Sequence, residues 1–340
     1  MPQEPANTLR MIAWELTRAC NLACKHCRAA AVDCAPPGEL STDECLALID
    51  DIASFATPTL ILTGGEPLLR DDLYIIARRA TDRGLRAVAA TNGTLLDDEA
   101  ARRLLDAGVQ RISISIDGKD AASHDALRGV PGAYEGSMRG IAAAKRTALP
   151  FQLNTTVTTR NVDELPEVHD LAIRLGAAAH HIFLLVPTGR AADLRGFELD
   201  ARRYEAVLEW LADRYASSAI EIRATCAPHF YRILRQRGIA TRARGCLAGQ
   251  AFCFISHTGD VQPCGYFDAQ VGNVRERSLG EIWRDAELFR KLRSHSEYEG
   301  KCGLCEFVRV CGGCRARAFE ATGNPLAQEP LCAHIPRSAT

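Results

Sequence analysis

Ile12-Ala13-Trp14-Glu15-Leu16-Thr17-Arg18-Ala19-Cys20-Asn21-Leu22-Ala23-Cys24-Lys25-His26-Cys27 joins a short apolar run to three closely spaced cysteines. Ile12–Leu16 has the length and alternation of a buried strand, so the CxxxCxxC triplet falls in the loop that leaves its C-terminal end. Three thiolates at this spacing hold three irons of a cubane [4Fe–4S] cluster and leave the fourth iron open to a substrate or cofactor. Zinc is the rival metal. A structural zinc site wants a fourth ligand, and here only His26 could supply it, from an awkward position between two of the thiols.

Working outward, residues 12 to about 216 alternate β-branched or apolar runs with longer segments of helical period, the pattern of repeated βα units around a parallel sheet. The strands are expected at Ile12–Leu16, Thr59–Thr63, Arg86–Thr91, Arg111–Ile116, Phe151–Val157 and His181–Val186. Helices are expected near 43–54, 71–83, 97–107, 134–147, 163–175 and 200–216, several opening on a capping or acidic residue such as Thr42-Asp43 or Asp97-Asp98. Six units make a partial (β/α)6 barrel of the TIM type. Such a barrel works at the C-terminal ends of its strands. There the sequence places Thr63-Gly64-Gly65-Glu66, Thr91-Asn92-Gly93, Asp117-Gly118 and Pro187-Thr188-Gly189. After 216 the pattern gives way to short segments with Gly and Cys. The expected organisation is an N-terminal extension (1–11), the barrel (12–216), a linker (217–240) and a cysteine-rich domain (241–340).

The 340 residues carry Lys+Arg 41 against Asp+Glu 42, a formal charge of -1, which excludes the strong basic field of a non-specific nucleic-acid binder. No apolar run approaches the roughly 18 residues of a membrane span. The N-terminal MPQEPANTLR has no apolar segment behind a basic start, so a cytoplasmic location is expected. The 14 cysteines are too dilute for a disulfide-stapled miniprotein and numerous for a reduced cytosolic chain, which favours metal ligation. Five lie within the first 45 residues and nine between Cys226 and Cys332, with none between Cys45 and Cys226. The distal set reads Cys246-x6-Cys253-x10-Cys264, with Gly259 five residues before Cys264, then Cys302-x2-Cys305-x5-Cys311-x2-Cys314, then Cys332. Taken alone, this spacing suits a zinc ribbon as well as iron–sulfur clusters.

The triplet after the first strand of a partial barrel resembles the radical S-adenosylmethionine (SAM) superfamily, whose open iron chelates SAM and cleaves it to a 5′-deoxyadenosyl radical. Gly64-Gly65-Glu66-Pro67 is similar to the GGE motif of that family, in which backbone carbonyls and Glu66 would receive the methionine ammonium. The resemblance implies SAM contacts from Asn92, Ser115, Asn154 and Leu185, and sets His26 where an aromatic residue packs near the adenine. The distal cysteines resemble the SPASM extension, which holds one or two auxiliary [4Fe–4S] clusters. Carried over, the first would take Cys246, Cys253, Cys264 and Cys314, and the second Cys302, Cys305, Cys311 and Cys332. The chain departs from the SPASM pattern in having two residues, Gly312-Gly313, between Cys311 and Cys314 where three are usual. The count then closes as 3 and 8, leaving Cys34, Cys45 and Cys226.

Longer stretches, among them His181-Ile-Phe-Leu-Leu-Val-Pro-Thr-Gly-Arg190 and Ala224-Thr-Cys-Ala-Pro-His-Phe-Tyr231, resemble the haem synthases of the siroheme-dependent pathway. What this implies is oxidative decarboxylation of two propionates of iron-coproporphyrin III to the vinyls of haem b, served by an external donor such as flavodoxin or ferredoxin. Arg190 is then a candidate fork for a propionate. Arg223 flanks the same region, and Arg232 reads as a solvated arginine. Cys226 and His229 are candidate axial ligands to the porphyrin iron, His229 being as readily a packed loop histidine. The alternatives are a SPASM maturase forming a thioether or carbon–carbon bond in a peptide, and a non-catalytic iron–sulfur carrier or zinc-stabilised scaffold. Only 19 residues precede Cys20, which counts against a fused leader-binding domain, and a carrier gains nothing from an open iron.

Overall fold

The computed structural model describes residues 8–241 and 243–337. Strands β1 (Met11–Glu15), β2 (Thr59–Thr63), β3 (Arg86–Thr91), β4 (Ile112–Ser115), β5 (Phe151–Val157), β6 (Ala179–Leu184) and β7 (Glu221–Thr225) lie side by side and parallel in chain order. Strand β8 (Phe252–Ile255) joins β1 from the other side, also parallel, and β9 (Asp260–Gln262) and β10 (Gly272–Asn273) continue that edge antiparallel. The helices are α1 (Thr42–Phe55), α2 (Leu73–Asp82), α3 (Asp98–Asp106), α4 (Ala121–Arg128), α5 (Ala133–Arg146), α6 (Leu165–Leu175), α7 (Ala201–Arg214), α8 (His229–Gln236), α9 (Leu279–Asp285), α10 (Glu287–Arg293), α11 (Gly300–Leu304) and α12 (Arg315–Thr322).

The βα alternation read from the sequence is therefore present, with three differences. The sixth strand starts two residues earlier than expected and ends at Leu184, leaving Leu185 and Val186 buried beyond it. Helix α4 was not anticipated, because Ala-Ala-Ser-His-Asp-Ala-Leu-Arg has little apolar period; the Asp120 cap and the left-handed Gly129 stop define it instead. The segment 217–240, expected to be a linker, holds β7 and α8. In β7 only Ile222 is fully buried, so an edge strand reads as polar connection. Of the extension assigned to 1–11, residues 1–7 lie outside the described residues.

The cysteine-rich part is not a detached unit, since β8 completes the barrel sheet beside β1, with Cys253 in register with Ile12. The main core lies between the sheet and its helices, around Trp14, Ile49, Ile52, Leu60, Leu62, Ile76 and Ile112. The other face of the sheet is open. Ala13, Ile61, Thr63, Val88, Ala90, Ser113, Ser115, Asn154, Thr156 and His181 alternate with the fully buried positions and are only partly buried. A lumen lined mostly by small and polar side chains leaves room for a ligand at the strands' C-terminal ends.

The pairing of β1 with β2 runs on past both strands, because Gly65 N donates to Thr17 O and Glu66 N to Ala19 O, each at 2.7 Å. A Cβ on Gly64 or Gly65 would overlap the Thr17 or Ala19 carbonyl, so only glycine lets this loop lie against the cysteine loop. Gly65→Ala is expected to cost about 1–3 kcal/mol, the price of overpacking against backbone. Thermal melting checks the prediction.

Candidate functional site

The cysteine loop is held from every side. Cys20 N donates to Val32 O (2.7 Å) and Val32 N to Arg18 O (3.0 Å), closing the loop as a bridge. Leu22 N donates to Cys20 Sγ (3.4 Å), Ala31 N to Cys27 Sγ (3.5 Å) and Arg128 Nη1 to Cys24 Sγ (3.5 Å), so each sulfur has a donor suited to a thiolate. Burial, reinforced by Glu66 and the other two thiols, pushes Cys20 up to about 11. Bound iron would offset that cost by taking the proton's place. Arg190 is committed to this loop. Its Nε donates to Cys24 O (2.9 Å), its Nη1 to Ala31 O (2.5 Å) and its backbone N to Cys27 O (3.0 Å). It braces the cluster loop, and its Nη2 alone is buried without a partner among the described residues.

Glu66 is fully buried and accepts from Thr91 Oγ1 (2.7 Å), Leu68 N (3.1 Å) and Asn92 N (2.8 Å), tying the glycine loop to the end of β3. Burial outweighs these donors and raises it to about 7. Asn92 donates from Nδ2 to Asn21 Oδ1 (2.9 Å) and reaches Cys20 Sγ (3.9 Å), placing it at the cluster loop. Ser115 and Asn154 are register partners across β4 and β5, and Asn154 pairs onward with His181 of β6. Leu185 is buried just past β6, and its carbonyl accepts from Arg317 Nη2 (3.2 Å).

His26 Nε2 lies 3.3 Å from Asp117 Oδ2, while its Nδ1 is buried with no partner among the described residues. Asp117 also binds Arg128 Nη2 (2.6 Å) and Thr156 N (2.7 Å). Burial alone would raise Asp117; Arg128 and His26 override it and hold the carboxyl far below the usual range. Asp117 had shown itself in the sequence only as a polar strand end, and its link through Arg128 to Cys24 is a tertiary fact.

A second buried carboxylate orders the loop's far side. Glu15 accepts from Arg28 Nη2 (2.6 Å) and Arg18 Nε (3.2 Å) and faces His257 Nδ1 at 3.0 Å, joining β1, the cysteine loop and the turn after β8. Burial opposes ionisation there, but His257, Arg28 and Arg18 bring Glu15 down to about 2. A depressed carboxylate stabilises the fold above its unfolded pKa, and that contribution fades as pH falls toward 2. Glu15→Gln should cost on the order of 3 kcal/mol at pH 7, with the difference from wild type narrowing below about pH 4.5, measurable by denaturation across pH.

The distal cysteines divide into two groups of four, although not as the spacing suggested. Cys302, Cys305, Cys311 and Cys332 line one cavity with His229 and Arg232, as expected. The other group gathers Cys246, Cys264 and Cys314, but Cys253 is absent from it. Cys253 is fully buried in the main core on β8, beside Ile12 and with no other thiol among its charged neighbours, and it is corrected out of the ligand set. In its place Cys226 packs with Cys264 and Cys314 around Val186, Phe267 and Leu292, and the Cys246 thiol is close enough to interact with it electrostatically.

The cysteine sulfurs are spaced too widely for zinc. A tetrahedral zinc with bonds of about 2.3 Å holds its sulfurs about 3.8 Å apart. Among the described residues no three cysteine sulfurs come within 4.8 Å of one another. The cysteine sulfurs therefore do not form a tetrahedral zinc site among themselves; the one set of ligand atoms that close among the described residues is Cys305, Glu306 and His334.

Two candidate axial ligands to a porphyrin iron are otherwise engaged. His229 is buried, with Nδ1 3.0 Å from the Tyr204 hydroxyl and Nε2 2.9 Å from Glu329 Oε2. Burial would lower it; Glu329 and Cys332 reverse the effect and lift it to about 9. Glu329, correspondingly, would be raised by burial but is held at about 2 by His229 and Arg317. Cys226 lies among thiols. Arg232, expected to be solvated, is buried and donates to both Glu205 oxygens at 2.6 Å. Arg223 stays half-exposed and paired with Glu221. Cys45 is buried in α1 and Cys34 is exposed. Arg317 and Glu329 form a fully buried ion pair at 2.8 Å, a contact between positions 12 residues apart that no sequence pattern pointed to.

A family model for the radical SAM superfamily matches residues 14–172, and one for the SPASM iron–sulfur cluster-binding domain matches 246–312. With relatives of high identity over nearly its whole length, the chain belongs to the radical SAM superfamily and carries a SPASM domain. Among curated proteins, the AdoMet-dependent heme synthase of Nitratidesulfovibrio vulgaris is 52% identical over 351 residues, 99% of this chain and 96% of that protein. The AdoMet-dependent heme synthase of Methanosarcina barkeri is 50% identical over 343 residues, 97% and 98% of the two chains. Among solved structures, Streptococcus suis SuiB bound to the precursor peptide SuiA matches with a TM-score of 0.76 at 17% identity, covering 96% of this chain and 76% of that one, a likeness of fold. No helix among the described residues is long and apolar enough to cross a membrane.

Proposed function

We propose that this protein is a haem synthase that decarboxylates two propionates of iron-coproporphyrin III oxidatively to the vinyl groups of haem b. The observation that carries the reading is the identity of about half the residues to AdoMet-dependent heme synthases over nearly the whole of both chains. The parts are chemically suited to it. Turning a propionate into a vinyl removes one hydrogen atom, CO₂ and one further electron. When bound, SAM and the clusters supply the radical that takes the hydrogen and a destination for that electron. The chain's own contribution is placement. Arg128, Arg190 and the Leu22 and Ala31 amides hold the triplet at the mouth of the lumen. The partly buried face of β1–β6 carries the small and polar side chains against which a flat ligand would lie. An external one-electron donor, of the flavodoxin or ferredoxin kind, completes the cycle.

The test is an anaerobic assay with SAM, reductant and iron-coproporphyrin III, followed by mass spectrometry. Loss of two CO₂ per porphyrin is expected. Formation of 5′-deoxyadenosine without loss of CO₂ would remove the haem assignment and turn attention to peptide substrates. Cys305→Ala should leave 5′-deoxyadenosine formation within about twofold of wild type while haem yield falls at least tenfold, because its cysteine group is remote in sequence from the SAM loop and serves electron flow. Equal loss of both products would refute that division of labour.

A further inference from the structure

We infer that Cys226, at the end of the barrel strand β7, is the fourth ligand of the first auxiliary cluster, with Cys246, Cys264 and Cys314, and that Cys253 is not a ligand. The inference rests on the SPASM assignment and is independent of which substrate the enzyme takes.

Four observations meet at this residue. Cys226 shares a small packed cluster with Cys264 and Cys314, and the Cys246 thiol lies within electrostatic reach of it. Its backbone is left-handed, with φ of 56°, a conformation that a non-glycine residue adopts only when the surroundings enforce it. Two donors enforce it here, since the Cys226 carbonyl accepts from Arg317 Nη2 (3.1 Å) and from the Tyr204 hydroxyl (3.3 Å). Both come from other elements, so the turn that swings the chain from β7 toward α8 is clamped. Its side chain is thereby delivered to the other three cysteines. Cys253, by contrast, sits in a strand whose period of two sends it to the helix-packed face with Ile12, while its neighbour Phe254 turns the other way to stack under Arg28 (4.5 Å). Reaching the cluster from Cys253 would require β8 to slip by one residue against β1, exposing its apolar face.

The consequence is architectural. The barrel itself supplies one ligand of the auxiliary cluster, so that cluster is fastened to the seventh strand and not only to the C-terminal part. Full ligation by four thiolates leaves it no open iron, in contrast to the triplet.

The test compares full-length Cys226→Ala, Cys226→Ser and Cys253→Ala after anaerobic reconstitution, with circular dichroism and melting to verify folding. Iron and sulfide are counted, and electron paramagnetic resonance spectra of the reduced, SAM-saturated protein are recorded with and without cyanide. Wild type should hold about 12 iron, from three cubanes. Cys226→Ala should either lose about a third of its iron and sulfide or keep them and become cyanide-responsive, an iron having been opened. Cys226→Ser keeps an oxygen donor of similar size and should retain iron with shifted g-values, so the test stays readable if the alanine variant folds poorly. Cys253→Ala should match wild type in iron, sulfide and spectrum. The inference is overturned by a Cys226→Ala protein with full iron and a spectrum indifferent to cyanide, or by a folded Cys253→Ala protein that has lost a cluster.

Discussion

Cys24→Ala abolishes SAM cleavage: 5′-deoxyadenosine formation is expected to fall at least a hundredfold, and about 4 of about 12 iron should be lost, the remaining eight staying in the closed clusters. The effect is this large because the site has no spare ligand. The triplet already holds its cluster by three thiols, and removing one leaves two. Cys24 is also the best sequestered of the three, 7% exposed, and the only one facing a fully charged donor, Arg128 Nη1 at 3.5 Å. Truncation would leave that guanidinium bound on one side to Asp117 and on the other to nothing, so no compensating ligand is at hand. Iron analysis and chromatography of the nucleoside product check the prediction, and retained cleavage would refute the assignment of the SAM cluster.

Arg317→Ala is expected to cost about 3–5 kcal/mol, the usual penalty for stripping one partner from a buried ion pair. In a protein of this size that lowers the melting temperature by on the order of 10 °C. Arg317 is 2% exposed and makes four ties at once: Nη1 to Glu329 (2.8 Å), and Nη2 to the carbonyls of Leu184 (3.4 Å), Leu185 (3.2 Å) and Cys226 (3.1 Å). It also lies over the Tyr204 ring, 5.1 Å from its centroid. One side chain on α12 therefore fastens the ends of β6 and β7 to the segment carrying Cys332. Arg317→Lys should recover only part of the loss, because an ammonium cannot satisfy a carboxylate and three carbonyls in the same fork geometry. A change below 1 kcal/mol by thermal or denaturant unfolding would show that the clasp holds nothing together.

Much of the barrel was legible before any coordinates. Strands such as Thr59–Thr63 and Phe151–Val157 were placed to the residue, because short β-branched or apolar runs with period-two alternation read as strands. Edge strand β7 was missed for the opposite reason, with one buried side chain in five. The site was legible where function depends on local spacing, as in CxxxCxxC, or on a backbone that tolerates no side chain, as at Gly64-Gly65. It was not legible where a charged group is buried by distant partners. Arg190 and His229 offer themselves in sequence as ligand contacts and Arg232 as a solvated charge, and in the fold each is engaged by protein atoms from elsewhere in the chain.

The sequence by itself determined the count: 14 cysteines separating into 3 for a cluster with an open iron, 8 for two closed ones and 3 left over. That division, implied by the SPASM resemblance, depends on the number of thiols a cubane needs and not on the path of the chain. Only the tertiary structure decided which cysteines fill it. Cys226 and Cys253 exchange roles, since ligation is a matter of distance through space. The 27 steps of chain between them carry no information about whether a strand's alternation points a thiol into the core or a clamped left-handed turn presents it to three others.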